Sequence, residues 1–581
     1  MTTRIMKLRL LYITLLISAI ATAQSKEKDT LNTEVINVVK AFNPSVSDAF
    51  KITRNPKLEQ DSIVKHKSFT YKIFSVPVAS TFKPKQGVFV GLKPNRLKSI
   101  YNNFISAGFG NNNTPLVEAF VHSNTSGNND FGAFLNIISS DGGINNSVLD
   151  DAYSDVKFDA YYKQYQDNFD WQINSGVRFQ KYNWYGISPL ISSPSSDIIA
   201  SINPKQSYFN FYAGGKIDYF NSAFQGTTFE YNFLSDDYDT SENYIYTTPK
   251  FAFPISSEYL VTTVSLGYLD GKFNRGFNDV SPISYQFFNV GFHPNLEVLR
   301  KDLSFNLGVK LYYSSATAGQ EESKFFAYPN ITASYKINSG TLTAFAGVTG
   351  DLIQNTYNDF VNENNFVSPT LNIKRTDQQY NAYFGIKGIQ NNINYQLKAS
   401  YKSEKNKALF VLNPVKEINL TNRAYEFGNS FDVVYDDVNT FTFTAEAEVN
   451  FSKQLDFGGD LTVNSYSVSN QQEAWNLPKL KASVFAKYTY KKWFAKTMIY
   501  IVGERKGQIS HQFPTFDITT PNIVSNTAYV DLNINGGYNF SDRLTAFAKF
   551  NNILGENYQD FTNFEVQGFQ ALAGITYKFD F

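Results

Sequence analysis

Glu565-Val566-Gln567-Gly568-Phe569-Gln570-Ala571-Leu572-Ala573-Gly574-Ile575-Thr576-Tyr577-Lys578-Phe579-Asp580-Phe581 closes the chain. Phe569, Ala571, Ala573, Ile575, Tyr577, Phe579 and Phe581 fall on one side of a period-two pattern, and Gln570, Thr576, Lys578 and Asp580 on the other. That is the alternation of a strand with one apolar face. A half-apolar strand ending a polypeptide leaves an unpaired sheet edge, an aggregation hazard in water. Closing the sheet on itself removes the edge. In a membrane barrel the last strand pairs with the first, the apolar face meets lipid and the polar face lines the lumen.

The pattern recurs upstream from Ser99. Val156, Phe158, Ala160 and Tyr162 oppose Asp155, Lys157, Asp159 and Lys163; Phe441, Phe443, Ala445, Ala447 and Val449 oppose Thr442, Thr444, Glu446, Glu448 and Asn450. In Val530 to Phe540 the opposing side is Asp531, Asn533, Asn535 and Asn539, too polar for the core of a sandwich. Soluble sandwiches also use strands of about five or six residues, whereas runs of ten or more suit tilted membrane strands. Short connections (Gln166-Asp167-Asn168, Asn338-Ser339-Gly340, Gln390-Asn391-Asn392, Ser541-Asp542) alternate with long ones at about 185–205, 351–376, 404–423, 467–477 and 504–526. Short connections belong to the periplasm and long ones to the cell exterior. The runs number 22 or 23, the doubt falling on Asp436-Asp437-Val438-Asn439. Single-chain bacterial barrels have even strand numbers, so Phe431 to Asn450 is read as one strand. The expected fold is all-β, a transmembrane antiparallel barrel of about 22 strands closed between the first and last.

At the other end, Arg4, Lys7 and Arg9 precede an apolar run from Leu10 to Ile20, and Ala21-Thr22-Ala23 supplies small residues before Gln24. Residues 1–23 read as a cleavable signal peptide, since the run is shorter than the roughly 20 residues of a spanning helix. No Cys follows to carry a lipid anchor. Residues 24–97, with Pro44, Pro56, Pro77, Pro84 and Pro94, read as an extended periplasmic or lumenal segment, and 98–581 as the barrel. The chain has 53 Phe and 38 Tyr, suited to the two aromatic girdles of a barrel, and no Cys, which excludes disulfides and thiolate metal sites. Lys plus Arg and Asp plus Glu balance at 52 each, so charge points to no nucleic-acid partner.

The C-terminal third resembles the closing strands of TonB-dependent receptors. The residues that carry the resemblance are Tyr529-Val530-Asp531-Leu532-Asn533-Ile534, the turn at Ser541-Asp542, Leu544 to Phe550, Asn552-Ile553-Leu554-Gly555-Glu556-Asn557-Tyr558 and Tyr577-Lys578-Phe579. Tyr577, Phe579 and Phe581 are similar to the C-terminal signal that outer-membrane barrels present to the barrel-assembly machinery. The resemblance implies an outer-membrane location, contact with membrane lipid and lipopolysaccharide, and uptake of a scarce nutrient such as a metal chelate or oligosaccharide. It also implies a lumen-filling plug domain, for which residues 24–97 are too few. Thr33, Glu34, Val35, Ile36, Asn37, Val38 and Val39 look like the short box such receptors offer to a TonB-like periplasmic partner for strand addition. A segment that only packs in the barrel mouth fits the same residues.

No catalytic or cofactor-binding constellation emerges. His66, His122, His293 and His511 are scattered, with no pair at metal-ligand spacing. His122-Ser123 is the one adjacent pair, and neighbours in a strand face opposite ways. Asp150, Asp151 and Asp155, and Asp236, Asp237 and Asp239, lack EF-hand spacing and read as solvated loop carboxylates. Lys83, Lys85, Lys93, Arg96 and Lys98 form a basic patch that suits either a periplasmic partner or a solvated linker. The expected function is non-enzymatic nutrient transport, with a scaffolding subunit of a larger outer-membrane complex as the alternative. A lumen this wide needs a closure: residues 24–97, inward-folded external loops, or a partner protein.

Overall fold

The computed structural model describes residues 101–580, except 125–126, 146, 188–195, 318–320, 339–340, 417–421 and 510–521. The expected signal peptide, the 24–97 segment with its Thr33–Val39 box, the basic patch and Phe581 lie outside the described residues. The main sheet has 23 hydrogen-bonded segments. Two of them, Ser241–Thr247 and Lys250–Ile255, pair with the same neighbours, Phe224–Asp236 and Glu258–Phe273, and make one strand broken at Thr248-Pro249. Pro249 has no N–H to give the ladder. The barrel thus has 22 strands, each antiparallel to its sequence neighbours. It closes where Asn103–Gly110 pairs with Gln570–Phe579, in register from Asn103↔Phe579 to Gly110↔Leu572.

Alternation sorts the side chains as expected. Phe158, Ile173, Phe292, Phe384, Phe441 and Ile575 stand exposed on the outer face, and an apolar band on a closed barrel is stable only in lipid, which makes this an outer-membrane barrel. On the inner face, glycines are covered by rings from the next strand. A Cβ on Gly132 would meet the Tyr161 ring at 2.3 Å, and one on Gly176 the Tyr212 ring at 2.4 Å. The rings fill space that a side chain would otherwise need, and they stiffen the curved wall.

Wall height is uneven. The closing strands hold 8 and 10 residues, close to the membrane minimum, whereas Ile393–Leu412 and Phe431–Asn450 hold 20 each. Phe431–Asn450 is continuous, as the even-number rule required. Its partner corrects the loop boundary expected at 404. Glu404, Lys405 and Lys407 lie in a strand that continues to Leu412 past a register shift, with Asn406 left-handed at φ 52°. Above the membrane both faces of a strand tolerate charge, so alternation fails there as a guide. The last strand also begins later than the alternation suggests, at Gln570. Residues 552–569 form an external loop with its own short pairing, Gln559–Phe561 on Phe564–Glu565.

Candidate functional site: a loop cap across the barrel mouth

The long connections fold inward. Residues 355–374 enter first, through a short helix, Tyr357–Glu363. Thr356 is its N-cap: Oγ1 accepts the Asp359 N–H at 2.9 Å and donates to Asp359 Oδ2 at 2.7 Å. Tyr357, Phe360 and Val361, at helical spacing, are buried. From the opposing wall the Glu242 carboxylate accepts the N–H groups of Tyr357 (2.6 Å) and Asn358 (2.9 Å) and the Tyr285 hydroxyl (2.7 Å). An anion facing the first N–H groups of a helix is favourably placed. Asn358 Oδ1 accepts from Asn210 Nδ2 at 3.0 Å, and Asn362 Oδ1 from Arg178 Nη1 at 3.0 Å. Tyr357 donates its hydroxyl to Asp236 Oδ2 at 3.0 Å; burial pushes that hydroxyl well above its ordinary pKa and keeps it a donor.

The other side of the cap reaches the far wall, through main-chain hydrogen bonds of Phe366 and Ser368 to Phe431 and through aromatic contacts. Phe360 meets Phe410 at 5.9 Å between ring centroids, Phe410 meets Phe561 at 5.8 Å, and Phe561 meets Phe431 at 5.3 Å. Phe366 stacks on Phe564 at 3.8 Å, and Tyr185 lies against both rings. One cluster of touching buried side chains joins Tyr208, on the sixth strand, to Phe431 and Val433, on the sixteenth. Ten strands apart in a ring of 22, these positions stand on nearly opposite walls. The cluster therefore crosses the mouth, and the described loops that carry it span the barrel's outer end.

The remaining loops are pinned to this core by side chains that bond to main chain. Asn429 Nδ2 donates to the carbonyls of Trp184 and Ala424, both at 2.8 Å. Arg275 and Lys416 pair with Glu426 at 3.1 and 2.6 Å. On the tall hairpin, the Asp436 carboxylate accepts the N–H groups of Ser469, Asn470 and Gln471, fixing the 469–479 loop so that Trp475 covers Leu409, Val411 and Val438. The residues that resemble TonB-dependent receptors set the base of the 552–569 loop. Asn552 Nδ2 donates to the carbonyls of Glu556 (2.9 Å) and Gln567 (3.0 Å), and Gly555 turns the chain at φ 67°. Tyr558 stacks on Tyr529 at 3.6 Å and donates to Asp531 at 3.1 Å. Phe561 and Phe564 are thereby presented to the cap core.

Tyr577 faces outward, 42% exposed, and its ring stacks with Phe579 at 6.2 Å. His122 pairs with Asp130 at 2.7 Å and the His293 ring lies tilted against Tyr312 at 4.7 Å, separately and on the lumenal wall. The acidic triplets split. Asp155 is a strand residue paired with Arg178 at 2.5 Å, and Asp151 accepts the Ile144 N–H at 2.7 Å. Asp236 accepts from Tyr238 and Tyr357. Among the described residues no group of three or more His, Cys, Asp or Glu is placed to hold a metal. The sequence reading missed the cap aromatics Trp184, Phe360, Phe366, Phe561 and Phe564. The available signal was their size: large rings are out of place in connections that remain in water.

No protein-family model matches the chain, nor does any curated protein sequence. Solved structures do match. The FrpB iron transporter from Neisseria meningitidis superimposes with a TM-score of 0.63 at 10% identity, over 83% of this chain and 82% of that one. The ferripyoverdine receptor of the outer membrane of Pseudomonas aeruginosa, bound to ferripyoverdine, gives 0.60 at 14% identity, over 84% and 72%. The siderophore receptor PirA from Acinetobacter baumannii gives 0.58 at 12% identity, over 82% and 80%. At such identities the likeness is one of fold. The fold is the one the C-terminal residues led us to expect, the barrel of TonB-dependent receptors.

Proposed function

We propose that the chain is a gated, non-enzymatic outer-membrane transporter that takes up a scarce solute, with a metal chelate as the leading substrate class. The observation that carries this reading is the wall-to-wall ring cluster from Tyr208 to Phe431. A passive pore has no use for a sealed outer mouth, and a closure made of loops can open. Its polar contacts reach both walls: Glu242, Asn210 and Arg178 hold the helix on one side, and the Phe366 carbonyl and the Ser368 N–H bond the main chain of Phe431 on the other. The structures it superimposes on include an iron transporter and siderophore receptors, which favours the same substrate class. Strand addition at Thr33 to Val39 would supply the periplasmic coupling.

The test uses the absence of cysteine. Asn210→Cys and Asn358→Cys, joined by a short reducible thiol cross-linker, tie the cap to the wall. Uptake of radiolabelled metal chelates and oligosaccharides by intact cells is expected to stop on cross-linking and to resume on reduction. Unchanged growth on every limiting nutrient, together with stoichiometric co-purification of other outer-membrane proteins, would assign the chain to the scaffolding role instead.

A further inference from the structure

The periplasmic turns differ sharply in charge around the rim. The turns at 124–128, 166–168, 220–223 and 256–257 contain one charged residue, Asp167. The turn at 300–302 holds Arg300, Lys301 and Asp302, and Arg300 is paired with Glu258. Three consecutive turns on the other side, 451–454, 491–492 and 540–543, carry four cations, Lys453, Lys491, Lys492 and Arg543, against one carboxylate, Asp542. All four are exposed, and none forms an ion pair with a described carboxylate.

Three of these cations are held on the membrane side of the rim. Lys491 Nζ lies 5.1 Å from the centre of the Tyr490 ring and Lys492 Nζ 5.9 Å from that of Tyr538. Both rings face outward; Tyr490 is 44% exposed, and Tyr538 packs on Trp493, which is 58% exposed. Lys492 Nζ also donates to the Phe540 carbonyl at 2.8 Å. Arg543 sits over the Tyr101 ring at 5.1 Å. Cations standing on the outward girdle, at the depth of the headgroups, meet phosphate from the side of the bilayer.

We propose that this sector, Lys453, Lys491, Lys492 and Arg543 above the girdle of Tyr490, Trp493 and Tyr538, is a docking surface for the phosphate headgroups of anionic phospholipid in the periplasmic leaflet. Guanidinium and ammonium donors supply the phosphate contacts, and the exposed rings lie along the upper acyl chains. The neutral turns on the opposite rim offer no such contact, so retained lipid is confined to one sector.

The full chain, purified in mild detergent, is titrated with phosphatidylglycerol and with phosphatidylcholine, and bound lipids are counted by native mass spectrometry. Phosphatidylglycerol is expected to be retained at least roughly fivefold better. The joint variant Lys453→Gln, Lys491→Gln, Lys492→Gln, Arg543→Gln is expected to lose that preference, while Arg300→Gln with Lys301→Gln keeps it. Heat-modifiable migration in gels confirms that each variant is a closed barrel. Equal retention of both lipids, a preference that survives the four substitutions, or displacement by millimolar inorganic phosphate would overturn the proposal. So would a variant that keeps the lipid but sheds a co-purifying acidic periplasmic protein.

Discussion

Glu242 and Tyr357 are 115 positions apart, and the Glu242 carboxylate accepts the Tyr357 main-chain N–H at 2.6 Å. The contact ties the first turn of the cap helix to the barrel wall and shares its acceptor with Asn358 and Tyr285. Because the site is buried, removing the acceptor leaves two main-chain donors and a phenol unsatisfied.

Glu242→Ala is accordingly expected to weaken cap docking by about 2–4 kcal/mol, with the barrel itself intact. Hydrogen exchange across 355–374 should accelerate, while exchange in Ile393–Leu412 stays slow. Equal acceleration in both would mean that the substitution unfolds the wall and not the cap.

Phe564 stacks on Phe366 and touches Tyr185. Truncation to Ala leaves a cavity at the centre of the cap and should cost about 3–5 kcal/mol of its packing. Protease added to intact cells is expected to cut the external loops faster in Phe564→Ala than in the parent, with heat-modifiable migration retained.

Tyr577 and Phe579 face lipid, and Lys578 faces the lumen. Replacing Phe579 with Asp should reduce the yield of inserted barrel below that of Lys578→Asp, since a lipid-facing carboxylate near an interface costs up to about 1 kcal/mol and a lumenal one does not leave water. Equal yields would assign the wrong face to the alternation.

The Thr33–Val39 box is testable by proline. Ile36→Pro and Val38→Pro each remove one main-chain donor from an added strand. Insertion should be normal and energised uptake lost; uptake equal to the parent's would leave the segment with no part in coupling.

Much of this architecture was legible in the chain. Period-two runs gave the strand count and its closure, because a strand at membrane depth must show lipid one face and water the other. The same rule went silent above the membrane. Glu404 to Lys407 looked like a loop because both faces of the tall hairpin are wet or covered by other loops, and Trp475 on Val438 breaks no local pattern. The cap was illegible for a different reason. Its contacts join residues such as Tyr185 and Phe564, brought together only once the barrel has closed, and no local periodicity encodes them. Asn552 stood out by resemblance alone; its role, two amide bonds that cross the base of a loop, required the structure.

The closed mouth is tested most directly with a single cysteine on the lumenal wall. Ser400→Cys lies on the inner face, between Tyr383 and Thr442 on the neighbouring strands, and Gln472→Cys in an external loop is the exposed control. A bulky, membrane-impermeant maleimide added to intact cells is expected to label Gln472→Cys quickly and Ser400→Cys not at all. It should then reach Ser400→Cys when Glu242→Ala and Phe564→Ala are added together. Rapid labelling of Ser400→Cys in the otherwise unaltered chain would contradict the closure of the mouth by its own loops.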